Sequence, residues 1–260
     1  MMPGPADDFA RANARFWTGY TEEYLAEHGG TLGEEQLLWC PEGLTEDLAG
    51  LLGKVDGRDV LEVGCGAAQG SRWIAAHGGN ATGIDISPGM LAAGRAAVEQ
   101  AGLAVTLLEA DARRLPFEDA SFDTAFTAFG AIPFVPDPER IFLEVARVLR
   151  PGGRWVFSTS HPMRWVFADD PAPSHLRVVR PYFDREPYLE TDEGGLAYAE
   201  FQHTLAALVG GLVAAGFRIE RVLEPEWVEG NEHVWGSWSR ERAPYVPGTL
   251  IVSARSERAD

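Results

Sequence analysis

The sequence predicts an α/β protein: a mostly parallel sheet with helices on both faces. Three observations predict it. From Asp59 onward, short apolar runs alternate with longer amphipathic segments, the rhythm of strand–helix–strand units. The first strand passes into its helix through a glycine-bearing turn, "VGCGAAQG". Acidic residues then close the next two strands, Asp85 in "TGIDIS" and Asp111 in "LLEAD".

The elements follow in order. Residues 7–53 read as helical and rich in aromatics. Phe9, Phe16, Trp17, Tyr20 and Tyr24 partly repeat every four residues and form one apolar stripe, and "HGG" at 28–30 offers a C-cap. Residues 1–56 are therefore expected as a helical N-terminal cap and 57–260 as the main domain. In that domain "DVLEVG" is a strand and "AQGSRWIAAHG" a helix ending at Gly78. "ATGIDIS" is the second strand, and Ser87 caps the next helix with Pro88 at its first position. "LAVTLLEAD" and "SFDTAFTAF" are strands, "DPERIFLEVARVLRPGG" a helix, and "RWVFSTS" the fifth strand. Residues 161–200 break the rhythm with prolines and aromatics, and a loop of that length is expected to be a functional insertion. "FQHTLAALVGGLVAAGF" is a helix, "RIERVLEP" and "GTLIVSAR" are the last strands, and a loop at 225–247 between them is rich in tryptophan.

Composition narrows the function. The 260 residues are 45% hydrophobic and carry a net charge of -17. A field that acidic repels a phosphate backbone, and the arginines are scattered, so nucleic acid is not an expected partner. No apolar run approaches the roughly 18 residues of a membrane span. The N-terminus lacks a basic region followed by an apolar one. Cys40 and Cys65 make no CxxC pair or disulfide framework, which suits a reducing cytoplasm. The histidines and carboxylates have no metal-ligand spacing, so no metal is expected.

The glycine turn is the chemical clue. Gly64 and Gly66 allow a tight bend and close approach of backbone to ligand, and the following helix points free N–H groups at it. No lysine follows in P-loop spacing, which disfavours a nucleoside triphosphate. A dinucleotide fingerprint would have glycine where Gln69 stands. Glu62 puts a carboxylate where a pyrophosphate would lie, an unfavourable neighbour for an anion but a welcome one for an ammonium or sulfonium. Asp85 stands about 20 residues on, where a carboxylate accepts ribose hydroxyls. Asp111 can accept an adenine amino group.

With these motifs the chain resembles the class I S-adenosylmethionine-dependent methyltransferases. "VLEVGCGAAQG" is similar to their first motif, "TGIDIS" to the ribose-binding acid, "ADARRLPFEDASFDTAF" to the adenine loop and fourth strand, and "EVARVLRPGGRWVFS" to the approach to strand five. The resemblance covers residues 59–160, and the last two strands fit the family's terminal hairpin. It implies a Rossmann-like, seven-stranded, mostly parallel sheet with an antiparallel last strand, and it points to small soluble bacterial members related to quinone-biosynthesis methyltransferases. It also implies S-adenosylmethionine as cofactor, S-adenosylhomocysteine as product and a small-molecule acceptor. Glu62, Gly64, Cys65 and Gly66 would hold the methionine end, Asp85 the ribose, and Ile86, Met90, Asp111 and Ala112 the adenine. Phe129 would line the pocket and Tyr24 cover it.

Ligands of open parallel sheets lie beyond the carboxyl ends of the strands. His161 follows strand five in "STSHP" and is the expected acceptor contact and proton acceptor. Trp17, Tyr20, Trp165, Tyr182, His203 and Trp235 are the expected acceptor-binding residues. Two other readings stay open: a cofactor-binding regulatory protein without transferase activity, and an NAD(P)-linked oxidoreductase. The expected assembly is a monomer or homodimer.

Overall fold

Period-two alternation decides what each face of the main sheet packs on. The computed structural model describes residues 5–33 and 36–257. Residues 1–4 and 34–35 of the expected cap, and 258–260 of the expected main domain, lie outside them. The strands of the main sheet are β1 (Asp59–Val63), β2 (Asn80–Asp85), β3 (Val105–Glu109), β4 (Phe122–Ala128), β5 (Leu149–Ser160), β8 (Phe217–Leu223) and β9 (Thr249–Ser256). A separate hairpin pairs β6 (Tyr188–Asp192) with β7 (Gly195–Glu200). The helices are α1 (Pro5–Leu32), α2 (Glu46–Ala49), α3 (Gln69–Ala76), α4 (Pro88–Ala101), α5 (Pro138–Val148) and α6 (Leu205–Ala214).

The main sheet has the order β3-β2-β1-β4-β5-β9-β8, with β9 antiparallel to both its neighbours. On one face Leu61, Val63, Ala125, Trp155 and Phe157 pack with Ile141, Phe142 and Val145 of α5 and Leu208 and Leu212 of α6. The alternate residues Val60, Phe126, Val156 and Ile251 face the other way, toward Trp73 and Ile74 of α3. The order reverses at β1, which has β2 on one side and β4 on the other. Loops diverge from the strand ends at such a reversal and leave a crevice there.

The cap read at Ser87 is present, and α6 has one the sequence reading did not name. Ser87 accepts from the Met90 N–H with Pro88 at the first helical position, and Thr204 accepts from the Ala207 N–H at the start of α6. Three expectations are corrected. α1 runs through "HGG" to Leu32, and the left-handed residue that follows it is Gly33, at φ 70°. α5 stops at Val148 instead of extending to 153, because Pro151 disfavours helical backbone at Arg150 and Leu149 instead pairs with Phe122.

The largest correction concerns residues 36–53, which are not a helical cap. Only the single turn α2 is helical, and Leu37, Trp39, Leu51 and Leu52 fill the core beside α3. Gly43, Gly50 and Gly53 hold positive φ and break the helix. The buried Glu46 carboxylate takes over the backbone's hydrogen bonding, accepting from the Leu51 N–H at 3.0 Å, the Leu52 N–H at 2.7 Å and Trp39 Nε1 at 2.9 Å. Glu46→Ala leaves three interior donors without an acceptor. At roughly 1–3 kcal/mol per unpaired group, the expected loss is about 3 kcal/mol or more in urea denaturation. A midpoint equal to wild type would refute this role.

α1 lies across the site as a strap. Asn13 hydrogen-bonds both backbone groups of Ala199, donating to its carbonyl at 2.9 Å and accepting from its N–H at 2.8 Å. That couples α1 to the edge of β7. Thr18 meets Ser87 oxygen to oxygen at 3.0 Å, at the start of α4.

Candidate active site

The turn after β1 is built by close backbone packing. Gly64 and Gly66 are left-handed, at φ 69° and 51°. A Cβ on Gly64 would stand 2.7 Å from the carbonyl carbon of Gly130, so only glycine lets the turn after β4 sit on this one. The Cys65 N–H donates to the Ile84 carbonyl at 2.8 Å and ties the turn to β2. At Gly66 the place of a Cβ is open space, although the residue lines the crevice.

Two acids bracket this turn. Glu62 is 5% exposed, and one of its oxygens accepts from both the Ser71 N–H and the Ser71 hydroxyl at 2.6 Å. Burial, together with the negative charge of Asp85, pushes its pKa up to about 7. Asp85 accepts from the Gly66 N–H and the Ser87 N–H, each at 2.8 Å, one on each oxygen. A carboxylate has about four lone-pair positions, so capacity for further donors remains. Burial raises the pKa of Asp85 as well. Asp111 carries an ion pair: Arg113, whose side chain is 6% exposed, reaches its carboxylate at 2.6 Å. Its charge is compensated, whereas Glu62 and Asp85 are held mainly by backbone N–H groups and the Ser71 hydroxyl.

These residues open onto a crevice of about 470 Å³. Every residue expected at the cofactor lines it: Glu62, Gly64, Cys65, Gly66, Asp85, Ile86, Met90, Asp111, Ala112, Phe129 and Tyr24. Phe129 does so with a left-handed backbone, at φ 57°. Of the expected acceptor residues, Trp17, Tyr20 and Trp235 line it too.

Four expected residues are not brought to the crevice. His161 is buried, its Nδ1 accepts from the Met163 N–H at 3.1 Å, and its Nε2 lies 2.9 Å from Glu224. Burial pushes its pKa down. Ser160 lines the crevice, and successive residues of extended chain point to opposite sides. Trp165 lies against the Arg164 and Arg180 guanidinium groups instead. The Tyr182 hydroxyl accepts from the Leu205 N–H at the start of α6. The ring Nε2 of His203 is 3.1 Å from the Ile132 carbonyl, where it supports the turn behind the wall.

The opposite wall holds residues that sequence reasoning missed. Tyr198 and Glu200 of β7, Arg164 and Asp169 of the segment after β5, and Asn13 and His28 of α1 all line it. The Tyr198 hydroxyl donates to Glu200 at 3.1 Å. Arg164 pairs with Asp169 at 2.9 Å and lies over the Trp238 ring at 4.4 Å. A signal for the hairpin existed: "YLETDEGGLAYAE" has two short runs joined at a Gly-Gly pair, and Tyr198 and Glu200 share a face by period two. Overhead, His28 stacks on Trp235 with ring centres 3.8 Å apart, so α1 and the 225–247 loop close the roof together.

The chemistry of this set suits a cationic ligand. Two interior carboxylates stand near enough for Asp85 to raise the pKa of Glu62, and the open space at Gly66 lets a ligand approach the backbone. A pyrophosphate here would meet Glu62 and Asp85 with like charge.

Comparisons with known proteins agree with the geometry. Residues 61–157 match the family model described as a methyltransferase domain. The chain is 43% identical over 204 residues to a phosphatidylethanolamine N-methyltransferase of Cereibacter sphaeroides, covering 78% of this chain and 81% of that one. It is 36% identical over 154 residues to a demethylmenaquinone methyltransferase of Thermus thermophilus, covering 59% and 57%. The chain thus spans only about half the length of some curated relatives that it matches. A solved S-adenosylmethionine-dependent methyltransferase from Mesorhizobium loti is 30% identical, with a TM-score of 0.65, covering 83% of this chain and 98% of that one.

Proposed function

The chain belongs to the S-adenosylmethionine-dependent methyltransferases, and from that premise we propose that it methylates a small-molecule acceptor by in-line displacement. The observation that carries this reading is a single crevice with the Gly64–Gly66 turn, Glu62 and Asp85 at one end and an aromatic, polar wall at the other. When bound, S-adenosylmethionine supplies a methyl group on a sulfonium, which is already activated for transfer.

The remaining work falls to this chain. Glu62 meets the methionine ammonium, and its ionised form is stabilised by that charge. Asp85 receives the ribose hydroxyls on the lone pairs its backbone partners leave free. Ile86, Met90 and Ala112 pack around the adenine, with Asp111 at its edge and Phe129 at the pocket wall. Trp17, Tyr24 and Trp235 exclude water and hold the acceptor in line. Orientation of two reactants in this way can contribute about 7–11 kcal/mol. Acceptors named for the relatives are phosphatidylethanolamine and demethylmenaquinone. A small acceptor suits a crevice of about 470 Å³ that the cofactor shares.

Calorimetry tests the cofactor half, with S-adenosylhomocysteine expected to bind and NAD not. Transfer of a labelled methyl group to small acceptors tests the catalytic half. Tight binding of NAD, with no affinity for either adenosyl compound, would overturn the reading.

A further inference from the structure

Among the described residues, the crevice is lined by five carboxylates, Glu62, Asp85, Asp111, Asp169 and Glu200, and by one guanidinium, that of Arg164. Two of the acids have cations of their own: Arg113 serves Asp111, and Arg164 serves Asp169. Glu62 and Asp85 flank the glycine turn. That leaves Glu200, whose hydrogen-bond partner is the neutral Tyr198 hydroxyl and which no ion pair reaches among the described residues. An interior carboxylate without a cation is costly unless a ligand supplies one.

Its position is on the acceptor side. The next residue, Phe201, donates its N–H to the Pro133 carbonyl at 2.7 Å. Pro133 belongs to the turn that begins at Gly130, which sits on Gly64. Glu200 is therefore joined through one short turn to the loop that holds the reactive end of the cofactor. Around it runs a continuous aromatic wall. Trp17 is 5.5 Å from Phe134, 6.4 Å from Tyr198 and 5.5 Å from Tyr24, and Tyr24 is 5.9 Å from Trp235. Arg164 faces Glu200 as well but makes its ion pair with Asp169, and aromatic faces beside a carboxylate without an ion pair of its own form a receptor for an organic cation.

We propose that Glu200 binds the acceptor as an ammonium and takes its proton, so that the acceptor is a primary or secondary amine; this rests on the methyl-transfer reading above. An ammonium has no lone pair and cannot be methylated. One N–H bond breaks, its proton goes to a Glu200 oxygen, and its electron pair stays on nitrogen. That pair forms the N–C bond as the methyl–sulfur bond breaks, with the bonding electrons remaining on sulfur. The methylated amine keeps one positive charge, and Glu200 returns its proton to water. Burial raises the pKa of Glu200, which makes it a better base than an exposed carboxylate. The charged groups facing it are Arg164 and Asp169, with Tyr198 on its own strand; from α1 come Asn13 and Trp17, neither of which titrates.

The test uses the full chain with labelled S-adenosylmethionine and three amine–alcohol pairs: ethanolamine with ethylene glycol, benzylamine with benzyl alcohol, and tryptamine with tryptophol. Label is expected in the amines and not the alcohols. Glu200→Gln is expected to lower kcat/KM by about 100-fold or more and to abolish the acidic limb of its pH profile. Calorimetry should find S-adenosylhomocysteine affinity unchanged in this variant while benzylamine binding is lost. Tyr198→Phe removes the hydroxyl that stabilises the ionised carboxylate, so it should move the acidic limb to higher pH. This variant carries the test if Glu200→Gln does not fold. Methylation of alcohols as readily as amines, no methylation of any amine, or an unchanged pH profile in the variants overturns the proposal. So does loss of S-adenosylhomocysteine binding in Glu200→Gln. Failure of the wild type to bind S-adenosylhomocysteine would instead remove the methyl-transfer reading beneath it.

Discussion

Glu62→Gln is expected to give a more stable protein that binds its cofactor poorly. The wild-type carboxyl is held near pKa 7 in the fold against an ordinary 4.5, with burial the main cause. The unfolded chain releases this proton near pH 4.5, while the ligand-free fold keeps it until about pH 7. The stability this group contributes is therefore fully present below pH 4.5 and is lost as pH rises through 7. A shift of that size corresponds to about 3 kcal/mol. Glutamine never ionises and still offers an oxygen to the Ser71 N–H, so the variant should melt higher than wild type at pH 8, by roughly 5–10 °C. Asp85, whose pKa burial raises too, is present in both proteins, so the difference isolates Glu62. Binding moves the other way. Losing a charge-assisted bond to the methionine ammonium should weaken S-adenosylmethionine on the order of 10- to 150-fold. In wild type, the stabilisation by S-adenosylmethionine should grow from pH 5 to pH 8 as the carboxylate ionises. Equal affinity in the two proteins, measured by calorimetry at pH 8, would remove Glu62 from the cofactor site.

Gly64→Ala and Gly66→Ala should fail in different ways, although both positions are left-handed glycines in one turn. At Gly64 the new Cβ would stand 2.7–2.9 Å from Gly130 and Ala131 backbone atoms, which cannot yield as a side-chain tip can. Strain in φ of about 1 kcal/mol adds to an overpacking cost of about 1–3 kcal/mol. The expected loss is roughly 2–4 kcal/mol, with the turns after β1 and β4 forced apart and no cofactor binding left. At Gly66 the Cβ would stand in open space, so the stability cost is the φ strain alone. It would project where the ligand approaches, and affinity should fall by tenfold or more, by about the 1.4 kcal/mol that one lost contact represents. Circular dichroism melts and calorimetry on the two variants separate these outcomes. Equal melting temperatures would contradict the packing argument at Gly64.

Much of the fold was legible because its signals are local. A strand–turn–helix needs left-handed glycines, a cap needs Ser87 before Pro88, and a two-faced strand needs period two; each is written within about ten residues. The glycine-turn end of the crevice was legible for the same reason. Glu62, Gly64, Gly66 and Asp85 lie at adjacent strand ends, and parallel pairing in register brings such ends together. Where locality fails, the reading failed. Residues 36–53 look helical by composition, but three left-handed glycines and the Glu46 carboxylate give them another backbone. His161 is at the right strand end, yet extended chain alternates its side chains and Ser160 has the crevice side.

The sequence alone thus determined the α/β class and the glycine turn with acids at the neighbouring strand ends, because short-range sterics and periodicity dictate both. Only the tertiary structure decided the opposite wall of the crevice. Asn13, Arg164, Glu200 and Trp235 are scattered through the chain and meet because α1 docks on β7 and the 225–247 loop folds over both. It also decided charge: Asp111 is an acid in the sequence but half of an ion pair in the fold, while Glu200, one acid among 39 acidic residues, has the neutral Tyr198 hydroxyl as its hydrogen-bond partner. Electrostatic character depends on distance to neighbours, and distances between remote segments are set by packing.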